Sequence, residues 1–244
     1  MEGGEARQRR GCRRNNGDSL LILMATVLVT GANRGIGFEY CRQLQQRGDT
    51  VIAVCREPSR DLESLGVRIE AGVDLTDAEA IADLAQRLDG QPIDLLIHNA
   101  GILENNSLET LDLDSVRRQF EVNALGPLRL TQALLPLLHR GSKLALMTSR
   151  MGSIDDNSSG GSYGYRMSKV ALSMAGKSLS IDLKPRGIAV AILHPGLVRT
   201  RMIGFNPQGI SPEDSVRGLL ARIDGLTLEN SGSFWHANGE LLPW

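Results

Sequence analysis

Four polar residues stand where this chain could carry out chemistry. Tyr165 and Lys169 belong to the run Tyr165-Arg166-Met167-Ser168-Lys169. A spacing of four puts the phenol and the ammonium one helical turn apart on one face. A free tyrosine, with a pKa of about 10, is a poor base at neutral pH, and a neighbouring ammonium favours its phenolate. The pair therefore suits general acid/base work. Ser149 closes the apolar run 143–149, where its hydroxyl can hold a substrate oxygen beside the phenol. Ser153 and Ser162 are its competitors. Asn123 sits inside an apolar helical stretch, a poor place for an amide without partners. It either bonds to the helix backbone or holds a water that relays protons to Lys169. The tyrosine–lysine spacing recurs by chance in many chains, so its weight comes from what precedes it.

What precedes it is a glycine loop, Thr30-Gly31-Ala32-Asn33-Arg34-Gly35-Ile36-Gly37. The loop follows an apolar strand and opens a helix, the context a dinucleotide site requires. Glycine permits the tight turn and a close approach of backbone to pyrophosphate. The helix N-terminus offers free N–H groups and positive potential. The second strand ends Val54-Cys55-Arg56, without the carboxylate that an NAD enzyme places on the ribose 2′-OH. Arg56 and Arg34 instead offer charge-assisted hydrogen bonds to a 2′-phosphate, so NADP(H) is expected over NAD(H), although Glu57 opposes it. Asp74, followed by Leu75, either accepts from the adenine amino group or caps the next helix. Asn99-Ala100-Gly101 lets the chain pass close to a cofactor or simply ends a strand. His98 reads as a satisfied strand-end residue.

The elements that must position these groups alternate along the chain. The pattern predicts strands over 26–30, 50–56, 67–73, 93–98, 143–149, 188–193 and 233–237. Helices are predicted over 36–46, 77–88, 113–138, 163–183 and 212–223. The strands are apolar throughout, as when helices cover both faces. The expected fold is α/β: a doubly wound, mostly parallel sheet between two helical layers, a Rossmann-like sandwich. Residues 24–244 read as a single domain, residues 1–23 as a disordered N-terminal extension, and 204–212 as a mobile loop. The chain has 244 residues, 41% hydrophobic and 23% charged, with net charge -1. That balance gives no electrostatic case for nucleic acid or an anionic membrane. Cys12, Cys41 and Cys55 are odd in number and form no CxxC, so neither a disulfide framework nor a metal site is expected. No apolar run reaches the ~18 residues of a membrane span. A reducing, cytoplasmic location fits.

Taken in order, these motifs make residues 24–244 resemble a classical short-chain dehydrogenase/reductase, nearest the C-factor or carbonyl-reductase-like branch. The resemblance rests on Thr30 to Gly37, Asp74, Asn99-Ala100-Gly101, Asn123, Ser149, Tyr165, Lys169, Pro195-Gly196 through Thr200, and the ending Gly239-Glu240-Leu241-Leu242-Pro243-Trp244. It implies hydride transfer between NADP(H) and a small carbonyl or alcohol. Tyr165 would be the acid/base, and Lys169 would bind the nicotinamide ribose and lower the Tyr165 pKa. Ser149 would orient the substrate oxygen and Asn123 would hold the relay water. Gly31, Asn33, Arg34, Gly35, Ile36, Gly37, Arg56, Asp74, Leu75, Asn99, Ala100 and Gly101 would hold the cofactor, with Pro195, Gly196, Val198 and Thr200 beside the nicotinamide. The family's habit of pairing the helices at 113–138 and 163–183 across a two-fold axis implies a homodimer or homotetramer. Two features depart from the family pattern: His98-Asn99 replaces a pair of asparagines, and the Ser149–Tyr165 gap is long, with 155–161 forming a loop at the mouth. Leu103, Leu197, Ile203 and Phe205 suggest a partly apolar pocket. Two alternatives stay open: a nucleotide-binding regulatory protein without turnover, and a lyase or epimerase that does not consume its cofactor.

Overall fold

The computed structural model describes residues 24–244; the extension expected at 1–23 lies outside them. Seven strands form one sheet in the order β3-β2-β1-β4-β5-β6-β7. They are β1 Thr26–Thr30, β2 Thr50–Val54, β3 Arg68–Glu70, β4 Ile93–His98, β5 Leu138–Met147, β6 Ala189–His194 and β7 Phe234–His236. Every pairing is parallel. Strand order reverses between β1 and β4, and such a switch point opens a crevice at the carboxyl ends of the strands.

Alternation along the strands feeds two cores. Val27 and Val29 pack with Tyr40, Leu44, Val216 and Leu219, on the side of helices α1 (Gly35–Gln46) and α7 (Pro212–Asp224). Leu28 packs with Ile81, Leu84, Leu130 and Leu172 on the other side. That side carries α3 (Ala78–Arg87), α5 (Gly126–Leu134) and α6 (Tyr163–Asp182). Period-2 alternation with both faces apolar is what two helical layers demand.

The structure departs from the expected elements in four places. The helix expected over 113–138 is instead α4 (Leu113–Phe120), a π-helical turn Glu121–Leu125, α5, and a 3₁₀ turn Leu135–Leu137; β5 begins at Leu138. Pro127 explains the break, because it has no N–H for the Asn123 carbonyl four residues back. β3 is shorter than expected. A short helix, α2 (Arg60–Ser64), follows β2 and is capped by the Ser59 hydroxyl, which accepts from Leu62 N. The 204–212 segment is a hydrogen-bonded loop: Arg199 N donates to Ile210 O at 2.9 Å and Ile210 N to Leu197 O at 2.8 Å.

Candidate active site

Ser149 follows β5, and Thr148 N still bonds to Leu193 O at 2.8 Å. The Ser149 Oγ accepts from Met151 N at 3.1 Å, capping the 3₁₀ turn Arg150–Gly152. That bond occupies a lone pair and leaves the hydroxyl proton available for a neighbouring oxygen. Gly152 is pressed onto α6: a Cβ there would lie 2.8 Å from the Lys169 carbonyl carbon. The close contact sets Ser149 against the first turns of α6.

On α6, Tyr165 is 8% exposed and Lys169 is 4% exposed. Burial pushes the Tyr165 phenol up to about 12, while a hydrogen bond with the Ser149 hydroxyl pulls it down. The net shift is upward, against the lowering expected of Lys169, whose ammonium lies 5.6 Å from the phenol ring centroid. Burial likewise brings Lys169 down to about 8. Its Nζ donates to Met147 O at 2.8 Å. An ammonium has three donors, so the geometry leaves two N–H groups for a ligand.

The Asn123 side chain does not bond to its own helix backbone. Its Oδ1 accepts from Ile102 N at 2.8 Å, and its Nδ2 donates to Ile102 O and Ser168 Oγ, both at 2.9 Å. Both amide N–H groups are therefore spent on protein partners, and Oδ1 accepts one bond. Ser168 Oγ donates to Tyr165 O at 2.8 Å, so the chain after β4 is tied to α6 directly beneath the tyrosine. One turn earlier, Gln119 grips Glu104 in the same way, through Glu104 N at 3.0 Å and Glu104 O at 3.1 Å. The Asn123 backbone carbonyl is also open to a water, deprived by Pro127 of its ordinary helical donor. Gly101 fits because a Cβ would meet Asn123 Oδ1 at 3.1 Å and Lys169 Nζ at 3.4 Å.

The cofactor end is built around β1. Thr30 Oγ1 accepts from Asn99 N at 3.0 Å and Ala100 N at 3.1 Å. Asn99 Nδ2 donates to Thr30 O at 3.0 Å and Gly31 O at 3.3 Å. The Asn99 amide thus fixes the glycine loop. Gly31 has φ +65°, and a Cβ there would sit 2.8 Å from Ala100 Cα; one on Gly37 would collide with the Gly31 carbonyl oxygen. Helix α1 starts without a side-chain cap among the described residues, leaving its first N–H groups and positive end for an anion. Ile36 packs at the edge of the core, and Ser59 Oγ donates to Asn33 O at 2.8 Å. Thr200 faces Gly35, its methyl 3.4 Å from where a Cβ would stand. The preceding chain is held by Ser215 Oγ donating to Pro195 O at 2.7 Å and by the bridge of Val198 to Ile210. Gly196 has φ +83° and runs beside His236.

Arg34 is exposed, and Arg56, 71% exposed, lies 3.7 Å from Asp74 Oδ2. Asp74 Oδ1 accepts from Thr76 N at 2.9 Å and Thr76 Oγ1 at 2.8 Å. Asp77, not Asp74, caps α3 through Glu79 N at 2.8 Å. The backbone bond from Thr76 holds the Asp74 carboxyl below its usual range. Leu75 is buried against Gly126. Cys55, 4% exposed, packs into the core on the α1 side.

His98 is half satisfied. Thr131 Oγ1 donates to Pro127 O at 2.8 Å, so it accepts from His98 Nε2 at 2.8 Å. His98 Nδ1 is buried with no partner among the described residues. Burial holds both His98 and His194 at about 3. Unfolding must then take up protons between about pH 3 and the free histidine value of about 6.5. Stability falls as pH drops through that window, by up to about 1.4 kcal/mol per pH unit for each histidine. Glu39, Glu70 and Asp74, held low by their partners, add to the loss only near the ordinary carboxylate range, about 4. Thermal melts should show Tm decreasing already between pH 7 and 5; a flat Tm over that interval would contradict it.

Sequence reasoning gave no role to the hydroxyls of Thr30 and Ser168, and passed over Ser59, Gln119 and Gly152. Gln119 and Asn123 do carry a signal, two amides four residues apart in an apolar helix.

A parallel sheet with an uncapped helix start at its switch point, and a buried serine–tyrosine–lysine group on the same edge, is the arrangement of a dinucleotide-using enzyme. The chain belongs to the short chain dehydrogenase family, whose profile matches residues 25–209, and it is an oxidoreductase of that family. It is 45% identical over 226 residues to 1-hydroxy-2-glutathionyl-2-methyl-3-butene dehydrogenase of Rhodococcus sp. (strain AD45), covering 91% of this chain and 100% of the relative. It is 49% identical over 156 residues to C-signal of Myxococcus xanthus, covering 63% of this chain and 93% of that protein. The NADPH-bound carbonyl reductase from chicken fatty liver superposes with a TM-score of 0.82 at 31% identity, over 91% of this chain and 99% of that one.

Proposed function

We propose that this chain reduces carbonyl compounds with NADPH, reversibly, with Tyr165 as the general acid. The observation that carries the reading is the buried group of Ser149, Tyr165 and Lys169 at the carboxyl end of β5, with the Lys169 ammonium 5.6 Å from the Tyr165 ring centroid; burial also keeps the phenol protonated, with its pKa pushed up to about 12. An acid that keeps its proton until the carbonyl oxygen needs it suits reduction. The NADPH of the chicken fatty liver reductase supports the choice of cofactor. So do the uncapped α1 and the two spare donors of Lys169, which fit a pyrophosphate and a ribose.

When bound, NADPH supplies the hydride that goes to the carbonyl carbon. Gly31, Asn33, Gly35, Ile36 and Gly37 would hold the pyrophosphate side, Arg34 and Arg56 the 2′-phosphate, and Asp74 with Leu75 the adenine. Asn99, Ala100 and Gly101 form the floor. Pro195, Gly196, Val198 and Thr200 cover the nicotinamide end, and Lys169 takes the ribose. Ser149 donates its free proton to the carbonyl oxygen and aims it at the Tyr165 phenol. Tyr165 delivers the proton, and the Asn123 carbonyl holds a water through which it is replaced by way of Lys169. A homodimer or homotetramer and a cytoplasmic location belong to the same reading. The exposed Met167, Met174 and Ile181, seven residues apart on α6, give such an assembly an apolar seam.

The two directions should differ in pH dependence. Reduction needs the phenol protonated, so its rate should stay level from pH 6 to 7, below the value of about 8 at which Lys169 loses its charge. Oxidation needs the phenolate, so its rate should climb with pH over the same interval. Initial rates in both directions check this, and an oxidation rate that falls with pH would count against Tyr165 as the base. The reading as a whole is tested with a panel of aldehydes and ketones, NADPH and NADH side by side, following absorbance at ~340 nm and the alcohol formed. Cofactor binding with no alcohol from any member would favour a nucleotide-binding regulator.

A further inference from the structure

Residues 150–162 join Ser149 to α6, and three parts of the fold grip them. From α6, Arg166 donates to Met151 O, Gly160 O and Gly161 O, each at 3.2 Å, and to Ser159 Oγ at 2.8 Å. From the chain after β4, Asn106 O accepts from Ser162 N at 2.7 Å. The third grip comes from the C terminus. Trp244 O accepts from Asp155 N at 2.9 Å. Arg150 lies between Asp156 and Glu240, 2.9 Å from each carboxylate. Trp244 stacks on Phe234 with ring centroids 5.6 Å apart, and with Gly152 and Ile154 it lines a cleft of about 210 Å³ against α6. Phe234 and Leu242 are buried together, so the tail is anchored in the sheet before it reaches the loop.

Arg150 is the residue next to Ser149 and begins the turn whose Met151 N–H holds the Ser149 oxygen. A shift of Arg150 therefore redirects the Ser149 hydroxyl. We propose that the C-terminal tail positions the substrate side of the active site: Glu240 and Trp244, acting through Arg150 and Asp155, set the Ser149 hydroxyl and the loop that a carbonyl substrate passes. The proposal rests on the carbonyl-reductase reading of Ser149 and Tyr165. Neither Glu240 nor Trp244 is near the glycine loop, since β4, β5 and β6 separate β7 from β1. Their loss should therefore divide substrate from cofactor.

The test compares Glu240→Ala, Glu240→Gln and Trp244→Ala with the wild-type chain. It reads steady-state constants for a bulky ketone, NADPH affinity by fluorescence titration, Tm, and amide exchange over residues 150–157. Glu240→Ala should raise the ketone KM about tenfold, as for the loss of one charge-assisted hydrogen bond, and Trp244→Ala, which loses the stacking on Phe234 that holds its carbonyl against Asp155, should raise it by several-fold; both should leave NADPH affinity within about twofold. Exchange over 150–157 should quicken in both. Glu240→Gln keeps an acceptor for the Arg150 Nη2 and should recover most of the loss. An unchanged ketone KM would overturn the proposal, and so would ketone KM and NADPH affinity worsening together with Tm. If the wild-type chain reduces no carbonyl, the functional reading fails by itself. Exchange then still decides the tail's role, and unchanged exchange over 150–157 overturns it.

Discussion

Replacing Tyr165 by phenylalanine should abolish most carbonyl reduction while leaving NADPH bound. The change removes one oxygen from a ring that is otherwise packed in place, so the helix and the lysine behind it stay where they are. What disappears is the proposed proton donor. A positioned general acid is worth about a hundredfold or more, or at least ~2.7 kcal/mol of barrier. The loss should fall on kcat, because the phenol acts while the carbonyl oxygen gains charge. Lys169→Ala should differ in kind. It removes the ammonium beside Tyr165 together with the donors proposed for the ribose, so turnover and cofactor affinity should fall together. Single-turnover rates and NADPH titration of both variants check this. Turnover of Tyr165→Phe within a few-fold of wild type would remove Tyr165 from its role.

The second large effect is cofactor choice. No carboxylate stands at the end of β2 to receive the ribose 2′-OH of NADH. Arg56 and Arg34 are exposed there, and the Asp74 carboxylate that approaches Arg56 does so only at 3.7 Å. So long and exposed an ion pair is weak and yields readily to a phosphate. A bidentate arginine–phosphate contact is stronger, and two such contacts should favour NADPH by about ten- to a thousandfold in kcat/KM. Arg56→Ala should raise the KM for NADPH and leave that for NADH nearly unchanged. Cys55→Asp should push preference toward NADH by adding a ribose acceptor and repelling the phosphate. Its side chain is buried, so it will also cost stability, which a Tm measurement separates from selectivity. Equal efficiency with both cofactors in the wild type would refute the argument, as would an Arg56→Ala variant with unchanged selectivity.

The strands were legible because Thr26-Val27-Leu28-Val29-Thr30 and its counterparts are apolar on both faces, and a doubly wound sheet follows from such runs alternating with amphipathic helices. The order of the glycine loop, Asn99-Ala100-Gly101, Ser149, Tyr165 and Lys169 was enough to gather them at one edge of that sheet. Local pattern failed where partners are remote. The Asn123 amide is matched to Ile102, a residue 21 positions away, and no periodicity announces that contact. The break inside 113–138 was readable, since Pro127 stands one turn after Asn123, but the apolar pattern on either side masked it. Helix α2 is too short for a period to show. Alternation along β2 would have turned Cys55 inward, toward the core that holds Val51 and Ala53. The link from Glu240 to Arg150 spans 90 residues and depends on the tail returning past β7.

The most direct measurement follows the hydrogen itself. The chain is incubated with NADPH carrying deuterium at nicotinamide C4, in separate samples for the two faces, and with an aldehyde or ketone that it turns over; the alcohol is then weighed by mass spectrometry. Direct transfer, with Tyr165 supplying only a solvent proton to oxygen, predicts one deuterium on the former carbonyl carbon from one face and none from the other. Alcohol without deuterium from either face, or a product formed without loss of NADPH, would contradict the account.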